Sequence, residues 1–130
     1  MSRNEVRYDM SRMKIEQRVY EHGEILMMDK GYVSPIDLFQ RMDWLSEEKI
    51  KLWRFKKISY LESEIRANLS KINFALKTLK KFATENQLKP STTEYKSWGK
   101  GTKLTLQFSK NNHPLTEKIY RTHFVKRKEG

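Results

Sequence analysis

Apolar side chains recur at steps of three and four residues between Ser59 and Glu85, which predicts a long helix with one buried face. The residues of this face are Leu61, Ile65, Leu69, Ile72, Leu76, Leu79 and Ala83. Ser59 and Glu62 have the S-x-x-E spacing of a capping box at the helix start, and Lys89-Pro90 prevents any continuation. A helix of this length spans about 40 Å, so we expect the rest of the chain to pack around it.

Another helical pattern precedes it, from about Met10 to Met28. The positions that share its inward face are Ile15, Val19, His22 and Leu26. Gly23 lies inside this helix, where glycine costs about 1 kcal/mol relative to alanine. His22 has no chemical partner nearby in the sequence, which is typical of a partly buried structural histidine.

Residues 34–54 have the pattern of two short helices joined by a turn. Ser34 can cap the first helix, Pro35 suits its first helical position, and Ser46 can cap the second helix. Through its S-P-x-x-L…S-E-E-x-I-x-x-W-R run, the segment resembles the helix-turn-helix of mercury-resistance-type regulators. In that motif the second helix enters the major groove of DNA.

The same segment also departs from the helix-turn-helix motif. Phe39 occupies the place of a small residue, Asp43 the place of the turn glycine, and two acidic residues begin the second helix. The alternative is a plain helical pair that packs on the long helix, with Trp44 and Trp53 as core or edge anchors.

After Pro90 the pattern changes to an alternation of two, which predicts β-strands with one buried face. The positions of that face are Thr93, Tyr95, Leu104, Leu106 and Phe108. Trp98-Gly99-Lys100-Gly101 supplies the glycines for a tight reversal between the strands. A hairpin of this size is not stable alone, so we expect its apolar face to lie against the helices.

A last helix is predicted from Pro114 to about Val125. The residues expected to face inward on this helix are Leu115, Ile119, Tyr120 and His123. Together the patterns predict an α+β fold, mainly helical, with a long central helix, a short helical pair, one antiparallel β-hairpin and a C-terminal helix. We expect one domain over residues 1–130, with frayed ends at 1–9 and 126–130.

The positive charge is concentrated in the second half of the chain. The whole sequence carries 27 Lys and Arg against 16 Asp and Glu, a net charge of +11. Residues 67–130 hold fourteen of the basic residues and four of the acidic ones, which leaves +10 there. This asymmetry favours a polyanionic partner such as nucleic acid, although basic faces also keep small proteins soluble.

The composition indicates a cytoplasmic protein without a membrane partner. The chain has no cysteine, so disulfides and thiolate metal sites are excluded. Its longest apolar run is the four residues 25–28, and the first ten residues lack the apolar segment of a secretory signal.

The predicted hairpin and the C-terminal end carry the candidate nucleic-acid-binding residues. These are Lys96, Trp98, Lys100, Lys103, Lys110, Lys126, Arg127 and Lys128. Lysines can neutralise phosphates, and an exposed indole can stack on a base. The alternative is a solvated hairpin edge, with Trp98 folded back onto the helices.

No residue pattern in the chain specifies a reaction. The three histidines (His22, His113 and His123) lie in separate segments without metal-ligand spacing, so we expect no metal and no cofactor. We assign no catalytic residue. The sequence leaves open the alternative of a metal-free nuclease with His113 or His123 as general base.

Six strings of the sequence, read in order, resemble a group of small bacterial proteins of uncharacterised activity. The strings are YVSPIDLF, MDWL, LWRFKKISYLE, NLSKI, LQFSK and YRTHFV, and they extend across residues 32–125. The resemblance implies a self-contained bacterial protein and brings no activity, cofactor or catalytic residue with it.

The sequence therefore predicts a non-catalytic nucleic-acid-binding protein that uses its basic C-terminal half. DNA and RNA are both open as partners. The first alternative is a protein–protein interaction or scaffold module, and the second is a small nuclease.

Overall fold

The structure is a computed structural model that describes the backbone of residues 3–128 and the side chains of residues 11–128. Its elements in chain order are α1 (Arg3–Lys30), β1 (Tyr32–Val33), α2 (Pro35–Arg41), α3 (Glu47–Arg54), a 3-10 helix (Leu61–Glu64), α4 (Leu69–Glu85), β2 (Lys89–Thr92), α5 (Pro114–Arg121) and β3 (Thr122–Val125). The predicted α+β fold is confirmed. The predicted fraying of residues 1–9 and 126–130 stays a prediction, and residues 1, 2, 129 and 130 lie outside the described part.

The three strands form an antiparallel sheet in the order β1-β3-β2. Val125 of the central strand lies opposite Tyr32 on one side and Lys89 on the other. Pro90 is tolerated in β2 because this strand is at the edge of the sheet. The predicted helix from Pro114 to about Val125 is thus wrong in its last four residues. The segment Thr-His-Phe-Val is rich in β-branched and aromatic residues, which favour a strand once partners lie on both sides.

The start predicted for the central helix at Ser59 is also wrong, because α4 begins at Leu69. Asn68 is the residue that caps it, since its side chain accepts a hydrogen bond from the Lys71 backbone N–H at 2.9 Å. The backbone N–H of Leu61 donates to the Gln107 carbonyl and not to a carbonyl of the predicted helix. Leu61 is nevertheless buried, whereas Leu69, at the first turn of α4, is 58% exposed.

The two long helices α1 and α4 pack against each other through the faces predicted from their periodicity. The fully buried residues of the two faces include Ile15, Val19, Leu26, Ile72, Leu79 and Phe82. Gly23 lies at the crossing, where a Cβ atom would be 3.0 Å from Cε1 of the Phe82 ring. The glycine that weakens α1 locally therefore allows the two helices to approach closely.

The short helical pair forms as predicted. The Ser34 hydroxyl accepts from the Asp37 N–H at 3.1 Å, and the Ser46 hydroxyl accepts from the Lys49 N–H at 3.2 Å. Asp43 has a φ of 64°, the left-handed conformation that glycine usually supplies at the end of a helix.

Both tryptophans of the pair are core anchors. Trp53 is completely buried and Trp44 is 8% exposed. The Trp53 indole N–H donates to the Gln107 carbonyl at 2.7 Å, so the buried polar atom of the ring is satisfied.

The predicted hairpin, residues 93–108, pairs antiparallel through a single bridge between Lys96 and Thr105. Two backbone hydrogen bonds flank this bridge, from Ser97 to Leu104 at 2.8 Å and from Leu106 to Tyr95 at 2.7 Å. Gly99 and Gly101 have φ angles of 102° and 95°, so both glycines of the reversal are needed. Tyr95, Leu106 and Phe108 are buried, as the alternation predicts, and Thr93 is partly buried. The prediction that Leu104 faces inward is wrong, because Leu104 lies beyond the bridge, close to the reversal, and is 46% exposed.

The buried face of α5 differs from the prediction. Tyr120 is buried as predicted, but Leu115 and Ile119 are 63% and 43% exposed, and Glu117 is buried in their place. The Glu117 carboxylate accepts hydrogen bonds from the backbone N–H groups of Phe108 and Ser109 at 2.8 and 2.7 Å. This buried carboxylate sets the rotation of α5 about its axis. A search for apolar residues at helical spacing does not predict that rotation, because Glu117 is charged.

Candidate nucleic-acid interface

The tip of the hairpin rests on the C-terminal end of α3. The Trp98 N–H donates to the Arg54 carbonyl at 2.7 Å, which satisfies one of the last free carbonyls of the helix. In return, Nη1 of Arg54 donates to the Lys96 carbonyl at 2.9 Å. Two hydrogen bonds in opposite directions therefore fix the hairpin relative to the helix.

The chain leaves α3 through a Schellman motif, the paired hydrogen bonds that close a helix end. The Lys57 N–H donates to the Leu52 carbonyl and the Lys56 N–H to the Trp53 carbonyl. Lys56 has a φ of 62°, although it is not glycine. This reversal leaves Phe55 on the surface, 49% exposed.

Arg54, Phe55 and Trp98 form a continuous surface cluster, which we call the tip patch. The Phe55 and Trp98 rings are 5.8 Å apart and meet edge to face at 80°. The guanidinium carbon of Arg54 lies 5.0 Å from the centre of the Trp98 ring and 4.8 Å from that of Tyr95. Burial lowers the pKa of Arg54 from its ordinary value. A guanidinium is too basic to lose its proton there, so the cluster holds a cation among aromatic rings.

Trp98 itself is 46% exposed. It contacts Arg54 and Phe55 at the end of α3, as expected in part for a ring folded back onto the helices, but it is not buried there. One part of its surface contacts the tip patch and the other part faces solvent.

Lysines surround the tip patch. Lys56, Lys57 and Lys100 are exposed and make no ion pair within the described part of the chain. Lys96 Nζ pairs with Glu94 at 3.3 Å, and Lys103 Nζ donates to the Gly99 carbonyl. The patch therefore presents aromatic surface next to exposed lysines at the end of α3 and at the hairpin tip.

The structure brings together only part of the predicted site. Lys96, Trp98, Lys100 and Lys103 share the hairpin tip, whereas Lys110 is exposed beyond the second strand segment. The C-terminal residues 126–128 contact other elements. The Lys126 N–H donates to the Gly31 carbonyl at 2.8 Å and Arg127 Nε to the Gln87 carbonyl at 3.0 Å. We find that these C-terminal residues belong to a different surface.

Sequence reasoning missed Arg54, Phe55, Lys56 and Lys57. Their signal is the string Trp53-Arg54-Phe55-Lys56-Lys57 at a helix end, in which aromatic and basic residues are interleaved. The sequence does not predict that Phe55 is exposed, because its position depends on the left-handed conformation of Lys56.

His123 lies in a separate aromatic cluster on the sheet. Its Nε2 is 2.7 Å from the Tyr95 hydroxyl, and its ring stacks on Tyr32 at 5.2 Å. Burial lowers the pKa of His123 from its ordinary value, with Lys30 acting in the same direction and Asp37 opposing. Burial also raises the pKa of Tyr95 to about 12. These contacts join the sheet to the hairpin, and the lowered pKa of His123 favours the neutral form of its imidazole.

The described residues offer no group of three or more His, Cys, Asp or Glu side chains that could hold a metal ion. Nor does any helix among them have the length and apolar character needed to cross a membrane. No protein-family model, curated protein or solved structure matches this chain. A functional proposal therefore depends on the geometry of the tip patch and its lysines.

Proposed function

We propose that this protein binds single-stranded nucleic acid through the tip patch and the surrounding lysines, without catalysing a reaction. The observation that carries the proposal is the pair of half-exposed rings, Phe55 and Trp98, next to lysines that make no ion pair with any described residue. Proteins that bind single strands combine aromatic side chains, on which bases stack, with a positively charged surface along the backbone.

The geometry of Trp98 fits a stacking role. Arg54 lies over one face of the indole, so a base would stack on the opposite face. The hydrogen bond from the backbone N–H of Trp98 to the Arg54 carbonyl fixes the main chain at Trp98, and the contacts of the indole with Phe55 and Arg54 restrain the ring. A ring that is already ordered loses little conformational entropy on binding.

The lysines provide the attraction for phosphates. Each phosphate that a lysine neutralises releases counterions, so binding weakens as salt increases. Lys56, Lys57 and Lys100 are exposed and make no ion pair within the described residues. No internal salt bridge of theirs has to break when a phosphate binds.

A single strand suits this surface better than a duplex does. In a duplex the faces of the bases are stacked on each other and are not accessible to Phe55 or Trp98. Reading a duplex through α3 would place the exposed acids Glu47 and Glu48 of its first turn close to phosphates. That unfavourable contact is the reason we place the interface at the opposite end of α3.

Fluorescence anisotropy with labelled single-stranded DNA, single-stranded RNA and duplex DNA tests the proposal. With about five phosphate contacts, log K for a single strand should fall with log[salt] at a slope of about −3.5. Tighter binding of duplex DNA than of either single strand would contradict the proposal and favour the helix-turn-helix alternative. Absence of binding at low salt would favour a protein partner instead.

The same samples test the nuclease alternative, because incubation with the labelled strands would shorten them if the protein cut them. The bacterial origin and cytoplasmic location expected from the sequence stay predictions.

A further inference from the structure

A groove lies between the hairpin, β2 and α5, away from the tip patch. Its volume is about 400 Å³. Among the residues that line it are Thr92, Thr105, Asn112, Glu117, Lys118 and Arg121. We call this space the α5 groove. The proposed stacking function does not use any of these residues.

The cations of the α5 groove have unused hydrogen-bonding capacity. Lys118 is exposed and forms no ion pair within residues 11–128. Arg121 donates through Nη2 to the Leu106 carbonyl at 3.2 Å, and its buried Nε has no hydrogen-bond partner. That nitrogen is enclosed by protein, so a ligand in the groove would contact the guanidinium through the exposed part of the Arg121 side chain, which is 21% exposed.

Glu117 is the acid in the lining, and its carboxylate is already occupied. Oε1 accepts from the Phe108 N–H, and Oε2 accepts from the N–H and the hydroxyl of Ser109. Arg121 Nη2 adds an ion-pair contact at 3.6 Å. The positive charge of Arg121 offsets the negative charge of Glu117, which leaves the charge of Lys118 for an anion in the groove.

We infer that the α5 groove binds a phosphate group. Lys118 supplies charge, Arg121 supplies guanidinium donors, and Thr92, Thr105 and Asn112 supply neutral donors from β2, the hairpin and the segment before α5. Donors from several directions suit the oxygens of a phosphate, and charge-assisted hydrogen bonds are the strongest kind available.

Lys96 connects the α5 groove with the tip patch, because its carbonyl accepts from Arg54 Nη1 and its Nζ contacts Thr105 of the groove. Lys96 and Thr105 are on the outer face of the hairpin, because they pair across the bridge while Tyr95 and Ser97 are buried on the other face. Lys96 Nζ donates to the Thr105 hydroxyl at 2.7 Å, which places a further cation at the rim. Residues 92–98 span about 20 Å when extended, a path for several nucleotides. The phosphate we expect here is that of a bound strand, and this assignment rests on the proposed function.

Two measurements on the full chain test the inference. In the first, NMR amide resonances are followed while inorganic phosphate is added at constant ionic strength, with chloride as the balancing salt. We expect saturable shifts at Thr105, Lys118 and Arg121, and we expect Lys118→Ala to abolish them. Lys77→Ala is the matched control, because Lys77 is an exposed lysine on the outer side of α4.

In the second measurement, anisotropy with a single strand of about 15 nucleotides gives the salt slope of each variant. Lys118→Ala should make the slope shallower by about 0.7, the contribution of one phosphate on a single strand, whereas Lys77→Ala should leave it unchanged. If phosphate shifts the groove resonances but Lys118→Ala leaves the slope unchanged, the groove binds free phosphate and not the strand.

If phosphate shifts no groove resonance and the slope is unchanged, the inference is overturned while the proposed function stands. If the parent protein binds no single strand, the proposed function is wrong, and the phosphate titration then tests only whether the groove binds free phosphate.

Discussion

The guanidinium carbon of Arg54 lies 5.0 Å from the centre of the Trp98 indole, and the Trp98 N–H donates to the Arg54 carbonyl at 2.7 Å. One residue at the end of α3 thus positions the hairpin tip through its backbone and covers one face of the indole with its side chain. The proposed interface depends on this pair, because a flexible tip would not present an ordered ring.

Arg54→Met should therefore loosen the hairpin tip. The change keeps the apolar stem but removes the hydrogen bond to the Lys96 carbonyl and the contacts with the Trp98 and Tyr95 rings. We expect the free energy of unfolding in urea to fall by about 1–3 kcal/mol. Arg66→Met is the control, because Arg66 is exposed, and it should change stability by less than about 0.5 kcal/mol. Equal effects of the two changes would mean that Arg54 does not hold the tip.

Gly23→Ala should destabilise the protein, although alanine is the better helix former by about 1 kcal/mol. The new methyl group would lie 3.0 Å from the ring of Phe82, which also packs edge to face on Tyr20 at 5.4 Å. Phe82→Leu should make room for it, so a double-mutant cycle should show a coupling of at least about 0.5 kcal/mol. Strictly additive effects would show that the helices are not in close contact at Gly23.

Ile72→Ala should reduce the free energy of unfolding by about 2–5 kcal/mol, because Ile72 is 1% exposed in the face of α4 that packs on α1. Lys77→Ala, on the exposed side of the same helix, should change it by less than about 0.5 kcal/mol. Urea melts that rank the two variants in the opposite order would mean that the other face of α4 is inside.

His123 should make stability depend on pH. Burial lowers the pKa of His123 in the folded protein, so the unfolded chain, with a pKa of about 6.5, binds the proton more readily. The contribution of His123 to the free energy of unfolding is therefore fully present above the pKa of the unfolded chain. It is lost as the pH falls from that value to the lowered pKa of the folded state.

Urea melts between about pH 5 and 7.5 bracket the unfolded pKa and check this sign. His123→Gln should flatten the dependence without abolishing it, because burial also lowers the pKa of His22. His113→Gln is the control at an exposed histidine and should leave the curve unchanged. A pH dependence that survives His123→Gln in full would show that His123 does not cause it.

The sequence predicted those elements whose signals are local. Ser34 and Ser46 cap α2 and α3 as expected, since a cap and its partner are three residues apart. The end of the C-terminal helix and the start of α4 could not be found in this way. Both depend on distant partners, as when the Leu61 N–H donates to the Gln107 carbonyl.

Only part of the candidate site could be predicted from the sequence. The alternation along the hairpin identified Trp98 and its lysines, but Phe55 reaches the surface only because Lys56 reverses the chain after α3. No glycine marks that reversal. Likewise, α5 is oriented by the buried carboxylate of Glu117, and apolar periodicity gives no weight to a charged residue.

The most direct test of the account compares Trp98→Ala with Leu104→Ala in single-strand binding at low salt. Both side chains are on the hairpin and both are 46% exposed, but only Trp98 has a ring on which a base can stack. The account predicts that Trp98→Ala weakens binding by about 5-fold to 150-fold, the equivalent of 1–3 kcal/mol, while Leu104→Ala has little effect. A folded Trp98→Ala variant that binds as tightly as the parent would contradict the account.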